Sequence, residues 1–389
     1  MIRKVKFSNF YSFNGEQEIS FLANKKKKYD YFQSISGDQI AKVSLFIGGN
    51  GSGKTNVMRL FSFLSYFITT AAVDNHGNIL DGGFQTFFKS KKSSDFLIEF
   101  EKDKIIFYYY FSIKDNVISE ENFSIKDFNN DSRKRNIFSR KSKIFKLNPE
   151  YFIDIPKNAL NLVRPDISLI AYLKSNYNIE IINKVFDYFQ ISNSNINERG
   201  EINARYQQAE IAKLYLKDKK LKEDMEHFVS NFDLGLNGIE IIKNEDINKI
   251  QINGLHKLNK EKNKISFEYE SRGTRSLFFI LGYILDSLKN NSIVIIDEIE
   301  TGFHPDALSK IIDYFIDENS DSSAQLIFSS HSLFFMNKLD MHQIYLVEKN
   351  DKNESNVHRL SQIKGIRSDD NFLTKYMAGA YGSFPKIRV

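Results

Sequence analysis

The run Gly48-Gly49-Asn50-Gly51-Ser52-Gly53-Lys54-Thr55 satisfies the pattern G-x-x-x-x-G-K-[ST] at every required position. It follows the apolar stretch Val43-Ser44-Leu45-Phe46-Ile47 and leads into Val57, Met58, Leu60 and Phe61, which are spaced like one face of a helix. A strand, a glycine turn and a helix in that order point to a parallel α/β sheet. The glycines let the backbone curl until successive N–H groups face one anion, and the following helix offers that anion its positive end. Gly48, Asn50, Gly51, Ser52, Gly53, Lys54, Thr55 and Asn56 are therefore expected to hold the phosphates of a nucleoside triphosphate, with Lys54 at the β/γ-phosphates and Thr55 on Mg²⁺. A glycine turn with a chance lysine is the plain alternative, and the flanking strand and helix count against it.

At 389 residues, 41% of them hydrophobic, the chain can bury a substantial core. No apolar run reaches the roughly 18 residues of a membrane span. The opening Met1-Ile2-Arg3-Lys4-Val5 enters a strand-like alternation instead of a signal peptide, so a soluble, cytoplasmic protein with no membrane partner is expected. The absence of cysteine excludes disulfides, thiolate metal sites and a cysteine nucleophile. A net charge of +5 is a weak sign of a nucleic-acid partner, so local clusters matter more. Lys25 to Lys28 form one cluster. Arg133 to Lys146 form another, with seven basic residues, no acid, and the rings of Phe138 and Phe145. Such a segment could follow a phosphate backbone, and a solvated lysine-rich loop is the plainer reading.

Residues 1–150 read as a β-rich lobe around the phosphate loop. Within them Phe96–Phe100 and Lys104–Phe111 are expected to form a hairpin. Residues 151–238 turn to helical spacing, as in Ile182, Val185, Phe186 and Phe189, and read as a helical insertion. Asn129-Asn130-Asp131 and Ser192-Asn193-Ser194-Asn195 are expected to be exposed loops. Residues 239–389 return to strands and then alternate helix and strand, the rhythm of a parallel α/β core.

Ser292-Ile293-Val294-Ile295-Ile296-Asp297-Glu298 is an apolar strand ending in two carboxylates, the Walker B pattern. The carboxyl ends of parallel strands are where such sheets place ligands. Asp297 is expected in the Mg²⁺ shell, and Glu298 is expected to polarise the attacking water; helix-capping acids are the plain alternative. Upstream, Glu270-Ser271-Arg272-Gly273-Thr274 opens a helix carrying Leu277, Ile280, Leu281, Ile284, Leu285 and Leu288. Downstream, Gln325-Leu326-Ile327-Phe328-Ser329-Ser330-His331-Ser332 reads as a strand ending at a histidine.

In this order the motifs resemble the ABC-type ATPases, in the RecF/SMC-like branch. The resemblance makes Ser271, Gly273 and Thr274 a signature motif of the E-S-x-G-T kind, Glu300 to Pro305 the D-loop region and His331 the switch histidine at the γ-phosphate. Glu298, His331 and Lys54 become the catalytic set, and Gln85 a candidate Q-loop residue. It implies an ABC-ATPase head in which the signature of one copy closes over the nucleotide of another, hence a homodimer or higher oligomer. The stretch between phosphate loop and signature is too short and too little heptad-like for an SMC arm. Gln343–Lys349 and Lys375–Pro385 look like the closing segments of the RloA/AbiLi-type anti-phage defence ATPases, with Asp340-Met341-His342 and Gly-Ser-Phe-Pro as departures. That likeness implies a sensor or regulator of a separately encoded Toprim, RloB-like effector nuclease, since the stretch after His331 is expected to be too short for a Toprim domain. A RecF-like DNA-maintenance ATPase and an ATP-stabilised scaffold with negligible turnover stay open.

Overall fold

The computed structural model describes the chain except residues 24–29, 71–79, 81–82, 154, 157, 191–192, 231–234, 245–248, 259–260, 321 and 382–389. The Lys25–Lys28 cluster and the closing Gly382-Ser383-Phe384-Pro385 therefore lie outside the described residues.

Strands from both ends of the chain build the central six-stranded sheet. Its order is Asn193–Ser194, Ile293–Ile296, Gln325–Ser330, Val43–Ile47, Ile344–Lys349 and Ser355–Arg359. All neighbours are parallel except the last pair, which forms an antiparallel hairpin at the edge. Successive side chains of a strand point to opposite faces, and a strand covered on both faces is apolar throughout. Phe46, Ile293, Ile295, Ile327, Tyr345 and Val347 accordingly enter one core with the loop helix Lys54–Thr69 and the β-rich lobe. Val43, Leu45, Ile47, Val294, Ile296, Leu326, Phe328 and Leu346 enter a second core with the helices Arg272–Asn290 and Pro305–Glu318.

The β-rich lobe is a seven-stranded antiparallel sheet in the order Ile144–Leu147, Asp131–Lys141, Val117–Asp127, Ile105–Lys114, Ser94–Lys102, Ile2–Phe7 and Gln17–Ser20. The expected hairpin is present, with Phe96 opposite Phe111 and Phe100 opposite Phe107. The turn at Asn129-Asn130-Asp131 joins two strands, and Asn129 and Asn130 are exposed.

Ser192 lies outside the described residues and Asn195 is a bend, but Asn193 and Ser194 of the second expected loop are not a loop. Asn193–Ser194 is a parallel edge strand of the central sheet, in register with Val294 and Ile295. Its polarity is satisfied by side-chain bonds, since the Asn193 amide donates to Asp286 at 2.8 Å and to Ser287 at 2.9 Å. Two residues are too few for alternation to show in a sequence. Around this strand, residues 151–238 contain the helices Leu169–Asn176, Glu180–Gln190, Ala204–Lys217 and Lys219–Ser230 and a small antiparallel pair, Ile196–Asn197 with Gly200–Glu201.

Candidate functional site

The loop strand, the acid strand Ile293–Ile296 and the histidine strand Gln325–Ser330 are neighbours and parallel, so their carboxyl ends meet on one edge of the sheet. There a cleft of about 320 Å³ is lined by Asn50, Gly51, Ser52, Gly53, Lys54, Thr55, Asn56, Glu298, His331 and Lys349.

The loop is shaped by close approach. A Cβ on Gly48 would stand 2.1 Å from the Val347 carbonyl oxygen, and one on Gly53, whose φ is +116°, would stand 2.6 Å from Ser355 Oγ. Ser355 clamps the loop by donating to the Ser52 carbonyl at 2.6 Å, and the Asn56 amide donates to Ser12 Oγ at 2.8 Å. No side chain caps the loop helix and no acid stands in its first turn, so its positive end faces the cleft. Ser52 Oγ is buried without a hydrogen-bond partner.

Lys54 is buried, and its ammonium donates to the carbonyls of Gly48 at 2.8 Å and Gly49 at 3.1 Å. Burial lowers its pKa, and the carboxylates of Asp297, Glu298 and Glu300 oppose that shift. The same ammonium is 3.3 Å from His331 Nδ1, while His331 Nε2 is 3.4 Å from Glu298 Oε1. With Nδ1 facing the ammonium and Nε2 a carboxylate, Nε2 is the ring nitrogen placed to donate to Glu298. Glu298 adopts φ +50°, a left-handed conformation uncommon outside glycine, which marks a constrained position at the end of the acid strand.

Asp297 is held from three sides. Burial raises its pKa, hydrogen bonds from Ser329 and Thr55 lower it, the Glu298 charge raises it and the Lys54 charge lowers it. Ser329, fully buried, donates to the Asp297 carboxylate and accepts from the Glu298 N–H at 2.8 Å. Asn195 reads both backbone groups of Asp297, accepting from its N–H and donating to its carbonyl, each at 2.8 Å. Glu300 accepts from the His331 N–H at 2.5 Å. Ser329, Asn195 and Lys349 were not singled out as site residues in the sequence, whereas Glu300 opens the expected D-loop region. Only Ser329 had a usable signal: pairing Ile296 with Phe328 sets the next residues, Asp297 and Ser329, side by side.

Ser329→Ala is expected to lower the unfolding free energy by about 1–2 kcal/mol, the cost of removing one partner from a buried hydrogen-bonded group. Urea unfolding reads this as a lower midpoint, and an unchanged midpoint would contradict the clamp.

The residues fit a magnesium-bound triphosphate. Among the described residues no group of three or more His, Asp or Glu side chains could hold a metal alone. Magnesium usually takes one or two protein oxygens and completes its shell from phosphate and water, and Thr55 beside Asp297 offers that set.

Ser271, Gly273 and Thr274 are not in the cleft. Ser271 is the N-cap of the helix Arg272–Asn290: its Oγ accepts from the Thr274 N–H at 3.0 Å and lies 2.8 Å from Thr274 Oγ1. Thr274 is buried, whereas Ser271 is exposed. A Cβ on Gly273 would meet the Gly302 carbonyl oxygen at 2.7 Å, so this turn packs on the loop after the acid strand. Gln85 is exposed and outside the cleft, its carbonyl accepting from the Tyr11 N–H at 2.8 Å. In the basic segment, Arg133 pairs with Asp131, Arg135 with Asp131 and Glu150, and Arg140 with buried Glu121, while Lys134 lies over the Tyr108 ring. Among the described residues no helix is long and apolar enough to cross a membrane.

No curated protein matches the chain. Similar solved structures include the SMC head domain from Thermotoga maritima, at 14% identity over 92% of this chain and 98% of that one, with a TM-score of 0.44. A second is the SmcHead bound to the C-winged helix domain of ScpA, at 15% identity over 92% and 97%, with a TM-score of 0.47. A third is the Smc head domain with an extended coiled coil bound to the C-terminal domain of ScpA, derived from Pyrococcus furiosus, at 13% identity over 93% and 97%, with a TM-score of 0.42. The profile of one family matches residues 43–337, well over half of the chain and the whole span from the loop strand past His331. The chain therefore belongs to the AAA ATPase-domain family described as "AAA domain, putative AbiEii toxin, Type IV TA system".

Proposed function

We propose that the chain binds and hydrolyses ATP with Mg²⁺ as an ABC-type switch. The observation that carries this reading is the convergence of Lys54, Thr55, Asp297, Glu298 and His331 at one edge of the sheet. The loop backbone and Lys54 hold the phosphates. Thr55 and Asp297 hold the metal, which when bound neutralises phosphate charge. Glu298 orients the attacking water and takes its proton, while His331 keeps that carboxylate in line through Nε2. Asn195 and Ser329 act as positioning residues for Asp297.

Ser271 and Gly273 stand on an exposed helix start outside this cleft, which supports their supply to the nucleotide of a second copy. ATP then favours the paired state and hydrolysis releases it, a two-state equilibrium biased by ligand. By the resemblance to RloA/AbiLi-type ATPases, the switch serves anti-phage defence and controls a separately encoded, RloB-like Toprim effector. The basic side chains of Arg133 to Lys146 are partly consumed by internal pairs, which gives a RecF-like DNA role less support.

Calorimetric titration of ATP and Mg²⁺ into the full chain tests the core of this reading, and absence of binding would overturn it. Lys349 enters the same experiment. It lies at the end of the strand Ile344–Lys349, lines the cleft and has no acidic partner among the described residues. Lys349→Ala is expected to weaken ATP binding by about three- to tenfold, the effect of one partly exposed charge on a phosphate. An affinity within error of the wild type would place Lys349 outside the binding set.

A further inference from the structure

A second concavity, of about 470 Å³, shares no lining residue with the nucleotide cleft. It lies between the turn at Lys114–Val117, the hairpin around Arg140–Phe145 and the segment Leu160–Pro165. Val117, Ile118, Phe145, Leu160, Val163 and Pro165 make it largely apolar. Arg140, 2% exposed, fixes one wall by pairing with Glu121 at 3.3 Å, donating to the Ile167 carbonyl at 2.8 Å and lying 5.4 Å above the Phe145 ring. Between the lining residues Asn161 and Val163, Leu162 is 77% exposed, a large apolar side chain in water. Lys114 and Lys143 line the groove, neither has an acidic partner among the described residues, and Asp115 is the one carboxylate in the lining. Among the described residues the strand Ile144–Leu147 pairs on one side, with Asp131–Lys141, so it is an edge strand of the seven-stranded sheet.

From this juxtaposition we infer that the groove docks a short acidic segment of a partner protein, apolar side chains in the concavity and carboxylates on Lys114 and Lys143. Apolar anchors surrounded by complementary charge are what such interfaces use, and an open strand edge adds backbone hydrogen bonds. A nucleic acid fits less well, because the single ring in the lining already has Arg140 on it and the aliphatic walls offer no stacking surface. A second copy presenting the same face in a two-fold pair would bring like charges together.

The test pans the full chain, immobilised, against a phage library of random peptides, then measures selected peptides by fluorescence polarisation. Selected sequences are expected to combine Asp or Glu with Leu, Ile or Phe. Binding is expected to fall at least about tenfold in Leu162→Asp and in Lys143→Glu, substitutions of exposed side chains at the anchor and the rim. ATP affinity, measured on the same samples, is expected to stay unchanged, which separates loss of the groove from loss of the fold or of the nucleotide site. Selection of peptides without acids, or peptide binding indifferent to both variants, overturns the inference. So does binding of a labelled duplex or single strand that both variants abolish when no peptide is selected, or self-association that Leu162→Asp abolishes.

Discussion

Lys54→Ala is expected to weaken ATP binding by at least about a hundredfold, because charge-assisted hydrogen bonds contribute about 1.5–3 kcal/mol each and this ammonium supplies more than one. It has a second task. Its bonds to the Gly48 and Gly49 carbonyls hold the loop curled. Arginine is a poor substitute, since a planar fork cannot fill the place of a compact ammonium that approaches two carbonyls and His331 Nδ1 together. Titration calorimetry with Mg²⁺ reads the loss, and an affinity within about threefold of the wild type would remove Lys54 from the phosphate contacts.

Glu298→Gln is expected to slow phosphate release by about 10²- to 10⁴-fold, the usual contribution of a positioned base, while leaving ATP affinity intact. The amide keeps the shape of the side chain and still offers an oxygen to His331 Nε2, now 3.4 Å from Glu298 Oε1. It cannot take a proton from water. Thr55, Asp297 and Ser329 are untouched by the change, so binding and turnover should separate. A variant that hydrolyses ATP at the wild-type rate would show that some other group takes the proton.

The residues within the motifs were legible because their chemistry is local. A phosphate loop needs its glycines and lysine contiguous, and a buried parallel strand ending in carboxylates announces itself as Ile293–Ile296 followed by Asp297 and Glu298. The parallel sheet was also legible in outline, since the apolar runs of the loop, acid and histidine strands leave no polar face to turn to water. What stayed hidden depends on pairing between distant segments. Asn195 reaches both backbone groups of Asp297 only because Asn193–Ser194 joins the sheet beside the acid strand. A polar two-residue strand carries no periodicity, so a stretch rich in asparagine and serine reads as a loop. Lys349 and Ser355 reach the glycine loop through the edge hairpin, whose place next to Val43–Ile47 is a matter of sheet order. The basic segment shows the converse: seven like charges in sequence, several of which find acids or rings once the strands pair.

Ser271 and Gly273, proposed as the signature, raise the central question, because the cleft in one chain holds Lys54, Glu298 and His331 without them. The most direct measurement is phosphate release from Lys54→Ala and Ser271→Arg chains, each alone and mixed in equal amounts. Each variant alone is expected to be nearly inactive. In the mixture half of the pairs are mixed and each mixed pair keeps one of its two sites, so roughly a quarter of the wild-type rate should return. Full activity of Ser271→Arg alone, or no recovery on mixing chains that both remain folded, would contradict a site shared between two copies.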